Sequence, residues 1–155
     1  MHRTAVSFFV FLVLAVAARY AAAHCEVPCG IYADQARFEQ MLEDAKTIAK
    51  ASDQIHVLAK ESNPQNMNQL VRWVTTKEQH ATDIQHVISQ YFMTQRIKAD
   101  KPGYVKNLTA AHAVMVAAMK CKQKVDPAAA KALQKSIYAF YTAYTGKEPK
   151  LHESK

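Results

Sequence analysis

The densest metal-binding chemistry in this 155-residue chain lies at His24-Cys25-Glu26-Val27-Pro28-Cys29. With His24 as a free N-terminus, five donors fall within one short stretch: the α-amine, the imidazole, the Cys25 amide nitrogen once deprotonated, and the thiolates of Cys25 and Cys29. Donors so close in sequence close small, pre-organised chelate rings. A planar mixture of nitrogen and thiolate suits nickel(II) or copper(II), whereas structural zinc takes four tetrahedral ligands, usually gathered from two segments. Pro28 fixes part of the backbone between the sulfurs and Gly30 permits a tight exit, so the segment can curl back as a hook. The competing reading is a disulfide between Cys25 and Cys29. So small a loop constrains little of the unfolded chain, and the bridge would add less stability than a long-range one. On the residues alone both readings stay open. The third cysteine, Cys121, lies between Lys120 and Lys122 with no local partner and is expected as a partly buried or surface thiol.

A hook of this kind needs a cleaved chain. His2 and Arg3 precede an apolar run from Ala5 to Ala18, and Arg19 is followed by Ala21-Ala22-Ala23. The pattern is that of a secretory signal peptide with an Ala-x-Ala cleavage site, whose removal leaves His24 first. A membrane anchor is the alternative, but the run is short for a span and Arg19 closes it. The chain is therefore expected to be exported, to a secreted, periplasmic or lumenal destination, with no stable membrane insertion after cleavage. Removing Arg3 and Arg19 takes the net charge from +7 to +5. A modest positive field raises the encounter rate of small anions. There is no dense Lys/Arg tract with interleaved aromatics, so a nucleic-acid partner is not expected.

The elements that must carry the hook read as helices. Asp34 is a candidate N-cap for a first helix whose Phe38, Met41, Leu42, Ala45, Ile48, Ile55 and Ala59 recur at three-four spacing to about Glu61. Asn63-Pro64 supplies a cap and a proline for a second helix, with Met67, Leu70, Val71, Val74, Ala81, Ile84, Val87, Ile88, Tyr91 and Phe92 on one side, running to about Ile97. Asp100-Lys101-Pro102-Gly103 marks a loop. A third helix carries Val105, Leu108, Ala111, Met115, Ala118 and Met119; after Asp126-Pro127 a fourth carries Leu133, Ile137, Phe140, Tyr141 and Tyr144 and stops at Gly146. No segment alternates with period two. The expectation is an all-α protein, an antiparallel up-and-down four-helix bundle over residues 33–146. Ahead of it stand a signal peptide over 1–23 and an irregular hook over 24–32; a flexible tail follows over 147–155.

The full pattern His24-Cys25-x-x-Pro28-Cys29-Gly30-x-Tyr32 resembles the opening of mature nickel-type superoxide dismutases, and the likeness continues through Gln35-Ala36-Arg37-x-Glu39, Lys77-Glu78-Gln79-x-Ala81 and Tyr91-Phe92. The resemblance implies one nickel ion per subunit, held by the His24 amine and imidazole, the Cys25 amide and the Cys25 and Cys29 thiolates. It also implies superoxide as substrate, cycling between Ni(II) and Ni(III), and a homohexamer of four-helix subunits. Tyr32 and Tyr91 match tyrosines that orient small ligands and water at the open axial side, and Glu39 matches a carboxylate that holds the axial imidazole. One departure is visible: His80 stands where some members carry an arginine supporting that imidazole.

Each residue also has a plainer reading. Tyrosines at core spacing are commonly packing residues with a satisfied hydroxyl, and a lone helical histidine such as His56, His80, His86 or His112 is commonly a surface or packing group. Glu39 on an amphipathic helix would ordinarily be a solvated charge. Asn107-Leu108-Thr109 fits a glycosylation sequon, a triplet frequent by chance. The rival functions are an exported, non-catalytic nickel- or copper-binding helical protein, and a secreted interaction protein with a disulfide at its start.

Overall fold

The computed structural model describes residues 34–149, so His24, Cys25, Cys29 and Tyr32 lie outside the described residues, as do the signal peptide and the end of the tail. Four helices follow one another: α1 (Asp34–Leu58), α2 (Pro64–His86), α3 (Tyr104–Gln123) and α4 (Pro127–Thr145). Between α2 and α3, Val87–Arg96 continues the helix with π winding. α1 packs against α2 and α4, and α3 against the same two, which closes a ring around one core. Among the described residues there is no strand, and no helix is long and apolar enough to cross a membrane.

Local chemistry sets the helix ends. The Asn63 side chain accepts from the Asn66 amide and the Asp126 side chain from the Ala128 amide, each followed by proline at the first helical position. Gly146 closes α4 at φ 70°, a left-handed conformation that other residues adopt only with strain. α3 ends differently. The buried Lys77 ammonium donates to the carbonyls of Cys121 (2.6 Å) and Lys122 (2.8 Å) and to Glu78 Oε1 (2.8 Å). A cation against a helix's last carbonyls satisfies orphan acceptors and the negative dipole end together.

The core is drawn from all four helices, with Phe38, Met41 and Ile48 of α1, Ile84 of α2, Val114 of α3, and Leu133, Ile137 and Phe140 of α4 fully buried. Each such side chain contributes about 1.5–3 kcal/mol relative to exposure. At one end of the bundle the filling is aromatic: the Phe38 ring lies 4.9 Å from Phe92, 5.1 Å from Phe140 and 5.0 Å from Tyr141.

Three expectations are corrected, and one burial was not expected. α1 stops at Leu58, ahead of Glu61. Met67, Val71 and Val74 share a stripe of α2 but are exposed, at 57, 67 and 41 %, and so are Val105 and Met119 of α3. Periodicity places residues on one face without saying whether anything covers that face. Lys77, in the polar stretch Thr75 to His80 of α2, is buried because the end of α3 offers its ammonium two carbonyls and Glu78 beside it adds a carboxylate oxygen. Cys121, expected as a partly buried or surface thiol, is 1 % exposed and belongs to the core. Burial there pushes its thiol up to about 11.

Candidate metal centre and its supporting residues

The hook joins the bundle at Asp34, two residues after Tyr32, and Asp34 is where the described structure begins. Expected as an N-cap, Asp34 instead stands in the first turn of α1 with its carboxylate committed to three side chains. Oδ1 accepts from the Tyr91 hydroxyl at 2.5 Å, while Oδ2 accepts from the Tyr144 hydroxyl at 2.7 Å and from the Arg96 guanidinium at 2.8 Å. Burial opposes ionisation of this carboxyl, but the three donors outweigh it and hold the group below the ordinary carboxylate range. The donors feel the reverse. Burial and the carboxylate together raise the Tyr91 phenol, and raise Tyr144 to about 12.

The π winding explains how Tyr91 and Arg96 reach one acceptor. At 100° per residue an α-helix would set positions five apart about 140° away from each other. Closing hydrogen bonds from i to i+5 brings them to nearly the same face. Two cations also flank the Tyr91 ring, with the Arg37 guanidinium 5.5 Å and that of Arg96 6.0 Å from its centroid.

Of the residues expected in the site, Tyr91 is thus 5 % exposed and tied to the base of the hook. Glu39 lies exposed on α1 and its Oε1 accepts from Gln35 Nε2 at 2.9 Å. His80, in the place of the arginine, bonds through Nδ1 to Asp44 Oδ1 at 2.6 Å. Asp34, Arg96 and Tyr144 were missed as site residues. Asp34 and Tyr144 had been read from local cap and stripe patterns, and their contacts span 57, 62 and 110 positions in the chain, so no local spacing signals them.

Among the described residues, Asp44, His80 and Asp83 bring a possible ligand atom each within 4.8 Å of the others. This set is all oxygen and imidazole nitrogen. Nickel that changes oxidation state near neutral pH needs anionic sulfur or amide donors to stabilise the higher state, and the chain offers those at Cys25 and Cys29, not here. The donor chemistry of the hook therefore fits nickel, and the Asp44 group does not fit that task.

Comparison with known proteins bears on the same point. No curated protein and no solved structure matches this chain. A family model, nickel-containing superoxide dismutase, matches residues 19–148, a span that takes in both the hook and the bundle. The chain therefore belongs to the nickel-containing superoxide dismutases, oxidoreductases whose cofactor is nickel.

Proposed function

We propose that the mature chain begins at His24 and holds one nickel ion through the His24 amine and imidazole, the Cys25 amide and the Cys25 and Cys29 thiolates. The observation that carries this reading is the complete run His24-Cys25-x-x-Pro28-Cys29-Gly30-x-Tyr32 directly after an Ala-x-Ala site. Bound there, nickel would supply a one-electron Ni(II)/Ni(III) couple. Two superoxide anions and two protons give dioxygen and hydrogen peroxide, one superoxide losing an electron and the other gaining it.

The protein's part is placement, charge and protons. Four residues lie between Cys29 and Asp34, so the five steps from one to the other reach at most about 18 Å, which keeps the thiolates in the neighbourhood of the Tyr91 end of the bundle. Tyr32 and Tyr91 orient water and small ligands at that end. Glu39 steadies the His24 imidazole, a role supported by its match to the family's carboxylate in Gln35-Ala36-Arg37-x-Glu39. The net positive charge favours encounter with an anionic substrate. Export through the signal peptide brings the chain to its compartment and creates the amine ligand. Assembly into a homohexamer is supported by the exposed Met67, Val71 and Val74 stripe; a monomer by light scattering would end that part of the reading.

The test is substitution of either sulfur. Cys25→Ser or Cys29→Ser should abolish superoxide turnover in the trimmed chain and leave the helical circular dichroism unchanged, because both residues precede the bundle. Near wild-type turnover in either variant would refute thiolate ligation, and N-terminal sequencing that starts elsewhere than His24 would remove the amine from the ligand set.

A further inference from the structure

We propose that Asp34 is a positioning residue for the reaction: it fixes the polarity of the Tyr91 hydroxyl, and Arg96 and Tyr144 fix Asp34. The inference rests on the reading above that Tyr91 faces the chemistry.

The geometry divides the carboxylate in two. Oδ1 receives the Tyr91 proton at 2.5 Å, and Oδ2 receives Tyr144 at 2.7 Å and Arg96 at 2.8 Å. Donors from the π-helical segment and from α4 on the two oxygens leave the carboxylate no freedom to turn. A phenol has one proton. With that proton directed at Asp34, Tyr91 meets any further ligand only as an acceptor. It therefore holds species that carry protons, such as water or hydrogen peroxide, and offers nothing to the superoxide anion, which needs a donor. Arg37 and Arg96 beside the ring keep the phenol in place. In this arrangement Tyr91 orients the water that supplies protons and the peroxide that leaves.

Asparagine at position 34 reverses this polarity with almost no change of shape. Arg96 and Tyr144 are donors, and Arg96 has no acceptor atom at all, so they hold the amide oxygen on their side. The amide nitrogen then faces Tyr91 and donates to it, and the phenol proton turns away.

The experiment is a double-mutant cycle on the nickel-loaded, correctly trimmed protein, following superoxide decay by stopped flow in wild type, Asp34→Asn, Tyr91→Phe and the double variant. Asp34→Asn should slow turnover about tenfold, the scale of one charge-assisted hydrogen bond, with nickel content unchanged. In the Tyr91→Phe background the same substitution should change the rate by less than about twofold, since the group it acts through is gone. A tenfold loss in both backgrounds would mean that Asp34 acts on the fold alone and would overturn the proposal. So would a wild-type rate in Asp34→Asn beside a slowed Tyr91→Phe, with the reading of Tyr91 intact. A wild-type rate in Tyr91→Phe would instead overturn that reading, and the proposal with it. Should Asp34→Asn fail to fold, Tyr144→Phe removes one donor from Oδ2 and should give a smaller slowing, again lost in the Tyr91→Phe background; equal slowing in both backgrounds overturns the proposal.

Discussion

Two aspartates on α1, ten positions apart, meet opposite fates. Burial is the largest influence on both and pushes both toward the neutral acid. Asp34 collects donors from Tyr91, Tyr144 and Arg96 and ends below the ordinary carboxylate range. Asp44 collects one, from His80, leaves Oδ2 without a hydrogen-bond partner, and ends above it. Depth in the bundle does not decide the charge of a carboxyl here; the number of donors converging on it does.

The largest effect expected from this contrast is on stability. Asp34→Ala strands the Arg96 guanidinium and two hydroxyls and should cost about 3 kcal/mol in urea unfolding, whereas Asp44→Asn keeps an acceptor for His80 and should stay within about 1 kcal/mol of wild type. The reverse order would break the comparison.

Acid titration sharpens it. Asp34, lowered in the fold, contributes stability that is present above the unfolded value of 3.8 and is lost as pH falls through the lower folded value. Asp44, raised in the fold, contributes stability that is full below 3.8 and is lost as pH rises through the higher folded value. Relative to wild type, Asp34→Asn should therefore be least stable above pH 4 and close the gap in acid, while Asp44→Asn should gain relative stability as pH rises from that point. Parallel pH profiles for the two variants would refute the assignment.

The smallest effect is spectroscopic. Tyr144, raised to about 12, should be among the last tyrosines to develop phenolate absorbance and should titrate closer to 10 in Asp34→Asn. Between those values the folded chain keeps a proton that the unfolded chain gives up, so stability should decline as pH rises through the window.

Most of the helical frame was legible because its signals are local. A cap followed by proline at Asn63-Pro64 and Asp126-Pro127, and glycine at 146, act within one turn of the chain, and the structure uses each as expected. What covers a helix face is a tertiary matter, which is why Met67 and Val71 read as one apolar side yet lie at the surface, and why Lys77, within a polar stretch of α2, is buried under the end of α3. The nickel cofactor was legible for another reason: the candidate donors from His24 to Cys29 stand close together in the chain whatever the fold around them, and the family match agrees with nickel. The network at Asp34 gave no such sign, since an aspartate at a helix start has an ordinary use as a cap and its partners are scattered through the second half of the chain.

The π-wound stretch Val87–Arg96 also constrains how this chain can vary. It behaves as an inserted residue that the helix has absorbed into a wide turn. Deleting one position there would let the segment rewind in ordinary fashion and swing everything after the cut by about 100°. Arg96 would leave its carboxylate, and the Pro102-Gly103 corner would launch α3 in the wrong direction. Exposed positions such as Gln90 and Thr94 can exchange side chains freely, but the number of residues between Tyr91 and Arg96 cannot drift.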